Sequence, residues 1–154
     1  MHIEPINQEG LGDLALLLGA PEGQYRDVPE VYDHDGTPGQ FGMAILCPPQ
    51  VEDGPVPISA VERHPHSAQT FFALNATRWL VCVMPSLPDG SPDIAKARCF
   101  MAGVGDAVCI AANVWHAGLT ALDANARMAM MMWRTDSGED GVLFQLETPL
   151  TYSL

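Results

Sequence analysis

The feature that most limits the fold of this chain is its punctuation. From Phe41 onward, short apolar runs alternate with clusters of Gly, Pro, Asp, Asn and Ser. Runs of that length, bounded that way, have the dimensions of strands and are too short for stable helices. Strands are expected over 41–47, 56–63, 68–74, 79–84, 98–102, 107–111, 114–119, 126–134 and 142–146. Turn chemistry separates them at 48–57, 85–93, 103–106, 121–125 and 135–141. Asn75-Ala76-Thr77 is short enough to be a tight hairpin link between two runs. This many short strands argue for an all-β sandwich or barrel.

The N-terminal region departs from the pattern. Met1–Ile6 alternates and reads as a first strand. Asn7 has N-cap chemistry, and Leu11, Leu14, Leu17 and Leu18 follow at helical spacing. This predicts one amphipathic helix over 8–18, ended by Gly19 and Pro21. Residues 19–40 read as loop, with a short strand near Val28–Tyr32. The methionine-rich run at 128–132 is expected to pack in a core or interface. A chain of 154 residues is read as one domain, 1–154, able to bury a core without disulfides.

Charge narrows the partners. The net charge of −12, from 19 acidic and 7 basic residues, disfavours nucleic acid and anionic membranes, which both need Lys and Arg. Cys47, Cys82, Cys99 and Cys109 form no CxxC and sit in apolar runs, as reduced core thiols do. With no secretory signal or long apolar span, a cytoplasmic location is expected. Hydrophobic residues make up 47% and charged residues 17%, which leaves apolar surface for a homodimer.

The chemistry concentrates in Val61–Leu74, VERHPHSAQTFFAL. On an extended strand His64 and His66 share a face, because side chains alternate with period 2. Together with His116 they would form a three-nitrogen face suited to Zn, Ni, Fe or Mn. No organic cofactor is implied. Pro65 cannot donate to a ladder, so the strand is bulged or at an edge there. Gln69 can both donate and accept hydrogen bonds. Arg63, Arg98 and Arg134 are candidates to hold a substrate carboxylate. Alternation places Arg63 opposite His64 and puts Glu62 on the side of His64. Trp115 reads as a wall of the cavity or core.

The spacings His64-x-His66-x2-Gln69-x6-Ala76 and Gly105-Asp106, then Ala111-x-Asn113-x2-His116, resemble the two motifs of the cupin superfamily. A narrower resemblance covers about residues 5–147. ERHPHSAQTFF at 62–72, VCVMP at 81–85, PDIAKARCFMA at 92–102 and NVWHAGLTALD at 113–123 look like the ureidoglycolate lyase family. The resemblance implies a cupin-type β-barrel or jelly roll with one short N-terminal helix. It implies cleavage of ureidoglycolate to glyoxylate and urea in purine (allantoin) catabolism, on a small carboxylate and ureido substrate. Carried over by motif are His64, His116 and Gln69 as catalytic residues. Glu62, Arg63, Arg98, Asn113, Trp115 and Arg134 are carried over as substrate-binding residues.

Departures from the family pattern are also legible. Ile110, Ala111 and Ala112 stand where members have polar groups, and His66 stands where they have an apolar residue. Those features keep two alternatives open: a binding protein of altered specificity, or a metal-dependent cupin with another reaction.

Overall fold

A computed structural model of the chain describes residues 1–19, 23–52 and 54–153. Its elements, in order, are β1 (Ile3–Pro5), α1 (Gln8–Leu11), β2 (Ala15–Leu18), β3 (Gly39–Leu46), β4 (Val56–Arg63), β5 (Gln69–Ala73) and β6 (Trp79–Met84). There follow β7 (Arg98–Ala102), β8 (Ala107–Ile110), β9 (Trp115–Ala117), β10 (Thr120–Ala121), β11 (Met128–Thr135) and β12 (Val142–Tyr152). Short 3-10 turns occupy Pro29–Tyr32 and Ile94–Lys96.

The strands form two sheets. A seven-stranded sheet runs β1-β7-β6-β9-β4-β12, with β10 beside β6, and a five-stranded sheet runs β2-β8-β5-β11-β3. The fold is therefore all-β with a single α-helix among the described residues, as the punctuation demands. The sheets do not close into a barrel; β3 ends the smaller sheet, and the end of β12 meets the N-terminal residues, Ile3 N donating to the Ser153 carbonyl and Ser153 N to the Met1 carbonyl.

One core fills the space between the sheets. Phe71, Val108, Ile110, Met128, Met130 and Met132 come from the smaller sheet, and Trp79, Val81, Val83, Phe100 and Ala102 from the larger. The period-2 alternation of β11 thus sends Met128, Met130 and Met132 inward. A second core lies on the other face of the larger sheet, with Leu80, Cys82, Met84, Cys99 and Trp115 beneath Leu146, Leu150 and Tyr152.

Several local expectations change. The helix is four residues, not eleven: Gly12 takes φ 56 at its C-cap, and Ala15–Leu18 pairs with β8 instead. Leucines spaced for a helix bury equally well along a strand once a ladder partner is available. Gly10 is set by packing, since a Cβ there would sit 2.7 Å from the Phe100 ring. Pro21, expected to stop the helix, lies outside the described residues. Val28–Tyr32 is mostly a 3-10 turn rather than a strand. Of the 114–119 run only Trp115–Ala117 is strand, with β10 just beyond it, and the last strand extends to Tyr152 across a register irregularity between Gln145 and Leu150.

Asn75-Ala76-Thr77 is not a hairpin. β5 lies in the smaller sheet and β6 in the larger, so this link crosses the sandwich. Ala76 is fully buried at the crossing, and the Asp123 carboxylate accepts hydrogen bonds from Thr77 N, Thr77 Oγ1 and Arg78 N. Cys82, Cys99 and Cys109 are buried free thiols, but Cys47 is exposed.

Candidate active site

The sheet registers build the site. In the larger sheet Glu62 of β4 is opposite His116 of β9, and His116 is opposite Val83 of β6. Cross-strand partners share a face, and Val83 belongs to the core between the sheets. Glu62 and His116 therefore face the smaller sheet. In that sheet one row carries Gly42, Met132, Gln69 and Ile110 on β3, β11, β5 and β8. The two rows meet at one end of the sandwich, because the chain crosses from His64 to Gln69 and from Ile110 to His116 there. A backbone bond from Asn113 N to the His64 carbonyl, 2.9 Å, ties the two crossings together. Asn113 adopts φ 66, a left-handed conformation that Asn tolerates better than most residues.

His64 and His116 converge. Their ring centroids are 5.4 Å apart. Glu62 Oε1 lies 4.0 Å from His64 Nε2 and 3.8 Å from His116 Nε2. The ligand atoms of Glu62, His64 and His116 all fall within 4.8 Å of one another. Each imidazole is oriented through its other nitrogen. His64 Nδ1 donates to the Asp140 carbonyl and His116 Nδ1 to the Val114 carbonyl, both at 2.9 Å. A carbonyl only accepts, so both neutral rings carry their proton on Nδ1 and leave a lone pair on Nε2. Both Nε2 atoms are buried without a hydrogen-bond partner. Gly141 lets the β11–β12 loop lie against the His64 ring, where a Cβ would be 3.4 Å from Cε1.

This donor set fits a divalent cation. Two buried imidazole lone pairs and one carboxylate, each imidazole locked by a backbone carbonyl, are what such an ion requires. Burial also acts on protonation. It pushes the His116 pKa down to about 4, with His64 adding to the shift and the hydrogen bond to Val114 opposing it. His116 is thus a neutral base at pH 7.

His66 does not join this cluster, contrary to the three-histidine expectation; Glu62 takes the third position. β4 ends at Arg63, and beyond it the strand alternation that would pair His64 with His66 no longer holds. His66 Nδ1 instead lies 2.9 Å from Asp35 Oδ2 and 3.2 Å from Thr37 Oγ1. That contact holds the Asp35 carboxyl below its ordinary range. The signal for Glu62 was present in the sequence, since it shares strand parity with His64.

The other expected residues divide. Gln69 is buried in the facing row, its Nε2 3.7 Å from Met132 Sδ and its Oε1 without a partner. Arg134 is exposed at the mouth of that sheet, its side chain lying over Gly42. No ion pair binds it among the described residues. Arg63 points to the outer face, as alternation predicts, with its guanidinium 4.8 Å from the Trp115 ring centroid. Trp115 belongs to the outer core and donates to the Gly90 carbonyl, so it is not a wall of the inner site. Arg98 is committed elsewhere: Nε and Nη2 pair with the two Glu4 oxygens at 3.1 and 2.6 Å, and Nη1 donates to the Gly10 carbonyl at 2.7 Å. It pins the N-terminal segment to β7. A cleft of about 380 Å³ between β4 and residues 117–120 reaches the cluster at Glu62.

A β-sandwich with an inward His, His and Glu cluster, capable of holding a metal ion, defines the class of protein. Comparison of the sequence gives the family. The family model for ureidoglycolate lyase matches residues 22–152, and the chain belongs to that family. It is 32% identical over 142 residues to the ureidoglycolate lyase of Rhodobacter capsulatus, covering 85% of this chain and 84% of that one. A chain of Agrobacterium fabrum that carries the same name provisionally is 33% identical over 144 residues, 88% of either chain. The ureidoglycolate lyase of a Chelativorans strain is 35% identical over 128 residues, 76% of this chain and 74% of that one. A solved Bacillus subtilis oxalate decarboxylase variant overlays 82% of this chain and 35% of its own at 16% identity and TM-score 0.38, too loosely to carry an argument.

Proposed function

We propose that this protein is a ureidoglycolate lyase, cleaving ureidoglycolate to glyoxylate and urea within purine (allantoin) nitrogen salvage. The observation that carries the reading is the pair of bare, buried Nε2 lone pairs on His64 and His116 beside the Glu62 carboxylate. The substrate carbon bears a hydroxyl, a ureido nitrogen, a hydrogen and a carboxylate. Cleavage removes the hydroxyl proton, forms the aldehyde C=O, breaks the C–N bond and returns a proton to the departing nitrogen. The sum is one proton moved from oxygen to nitrogen, which two adjacent imidazoles can perform. His116, kept neutral by burial, takes the hydroxyl proton on Nε2, and that same proton passes by way of the neighbouring His64 Nε2 to the leaving urea nitrogen.

In place of that proton transfer, a divalent ion of the Ni, Zn, Mn or Fe group would be held by Glu62, His64 and His116 through the same Nε2 atoms and would supply Lewis-acid charge that acidifies the substrate hydroxyl. Arg134 receives the carboxylate, since its guanidinium is exposed at the end of the facing sheet. Gln69 hydrogen-bonds the ureido group. Arg63, Arg98 and Trp115 act on the scaffold. We further read the chain as a cytoplasmic homodimer. Met43 and Ile45, 65% and 56% exposed on the edge strand β3, support an interface there.

The test is urea release from ureidoglycolate, with glyoxylate formed in equal amount. Absence of urea at high enzyme concentration would sink the reading. A binding protein without turnover is the second reading. It is favoured by Ile110, an apolar side chain buried beside Gln69 in the same row.

A further inference from the structure

Met132 holds the Gln69 carboxamide one way round. The two residues are Cα partners on β11 and β5, and both are buried on the inner face. Gln69 Nε2 lies 3.7 Å from Met132 Sδ. A thioether accepts hydrogen bonds and cannot donate them. The contact therefore selects the orientation with Nε2 toward sulfur and leaves Oε1 directed elsewhere. That oxygen is buried and has no partner. In this row Gly42 and Ile110 carry no side-chain donor, and the Arg134 side chain that lies over Gly42 makes no hydrogen bond to Oε1. Burying an amide oxygen without a partner carries its full desolvation cost, so such an atom is the mark of a position completed by a bound molecule.

We infer that Met132 is a positioning residue of the site: its thioether fixes Gln69 as a hydrogen-bond acceptor that reads N–H groups on the ligand. An amide free to rotate would serve donors and acceptors alike. Pinned by sulfur, it rewards a ureido nitrogen and repels a carboxylate or carbonyl oxygen. The identity of the donor as a ureido N–H rests on the proposed lyase function; the polarity of the reader rests on the Gln69–Met132 contact alone.

Two small probes separate these points: urea, which presents N–H donors, and acetate, whose carboxylate oxygens only accept. Their affinities are measured by ligand-observed NMR and, where turnover is found, by competitive inhibition. Met132→Leu preserves volume and removes the sulfur. It weakens urea binding about fivefold, as losing one hydrogen bond does, and leaves acetate binding unchanged. With ureidoglycolate it raises KM more than it lowers kcat. Met130→Leu, on the same face but opposite Phe71, changes neither affinity. In a Gln69→Glu background both terminal atoms are oxygens, orientation no longer matters, and adding Met132→Leu has no further effect on urea. Equal weakening of both probes, no weakening of either, or failure of urea to bind the native protein overturns the inference. Failure of the native protein to release urea from ureidoglycolate overturns the lyase reading instead, and the binding arms still decide the role of Met132.

Discussion

His64 and His116 approach each other from two separate stretches of chain, their rings 5.4 Å apart, and each donates a hydrogen bond from Nδ1 to a backbone carbonyl. Neither Nε2 has a partner. This is an arrangement for use, since two buried lone pairs facing one carboxylate gain nothing for the folded state.

Removal of either ring should therefore cost activity far more than stability. His64→Ala and His116→Ala are each expected to lower kcat for urea release by at least about 100-fold, the range of lost proton-transfer catalysis. Far-UV circular dichroism should show the sheet structure retained. Unchanged turnover in either variant would refute the assignment.

Metal affinity should follow the cluster the fold assembles. Protein prepared without a histidine tag is expected to bind one divalent ion per chain by titration calorimetry. Glu62→Ala should weaken that binding at least about tenfold, by analogy with losses around metal sites. His66→Ala should leave it unchanged, because His66 faces Asp35 and Thr37. Equal losses in the two variants would restore the three-histidine site.

The two arginines should separate in kinetics. Arg134→Ala is expected to raise KM for ureidoglycolate about tenfold, the weight of a charge-assisted hydrogen bond. Arg98→Ala should leave KM alone and lower the denaturation midpoint only slightly, because its pair with Glu4 is substantially exposed. Denaturant titration beside steady-state kinetics checks both.

Stability should depend on pH through His116. Its pKa falls from an unfolded value of about 6.5 to about 4 in the folded chain. Between those values the unfolded chain binds more protons, so stability rises with pH and is lost as pH drops from about 6.5 toward 4. The full effect is roughly 3 kcal/mol. His116→Gln should flatten the slope of unfolding free energy against pH in that window. An unaltered slope would mean that the ring is not held neutral by burial.

Much of this protein is legible in one dimension, for identifiable reasons. Strand positions follow from apolar runs and turn residues, which are local properties, so β4 to β8 lie close to where the sequence puts them. His64, Gln69 and His116 stand out because each breaks an apolar context with a polar group. The helix expectation failed at 15–18 because leucine spacing does not specify period when the competing state is a ladder with β8. The Asn75–Thr77 link was misread because a short connection fits a hairpin or a crossing between sheets equally well. Only the pairing of β5 with β8 and β11 decides between them.

The site shows the same division. By itself the sequence determined which polar residues interrupt the apolar runs, an all-β scaffold to hold them, and the parity that Glu62 shares with His64. The tertiary structure decided which of them meet. Glu62 replaces His66 in the cluster because β4 ends before Pro65, and strand parity has no force beyond the last ladder bond. Arg98 leaves the site because Glu4 reaches it across the parallel pairing of β1 with β7. Met132 enters it because cross-strand register sets its sulfur against Gln69. Contacts between distant segments depend on which strands become neighbours, and that is a property of the whole sandwich rather than of any one stretch of chain.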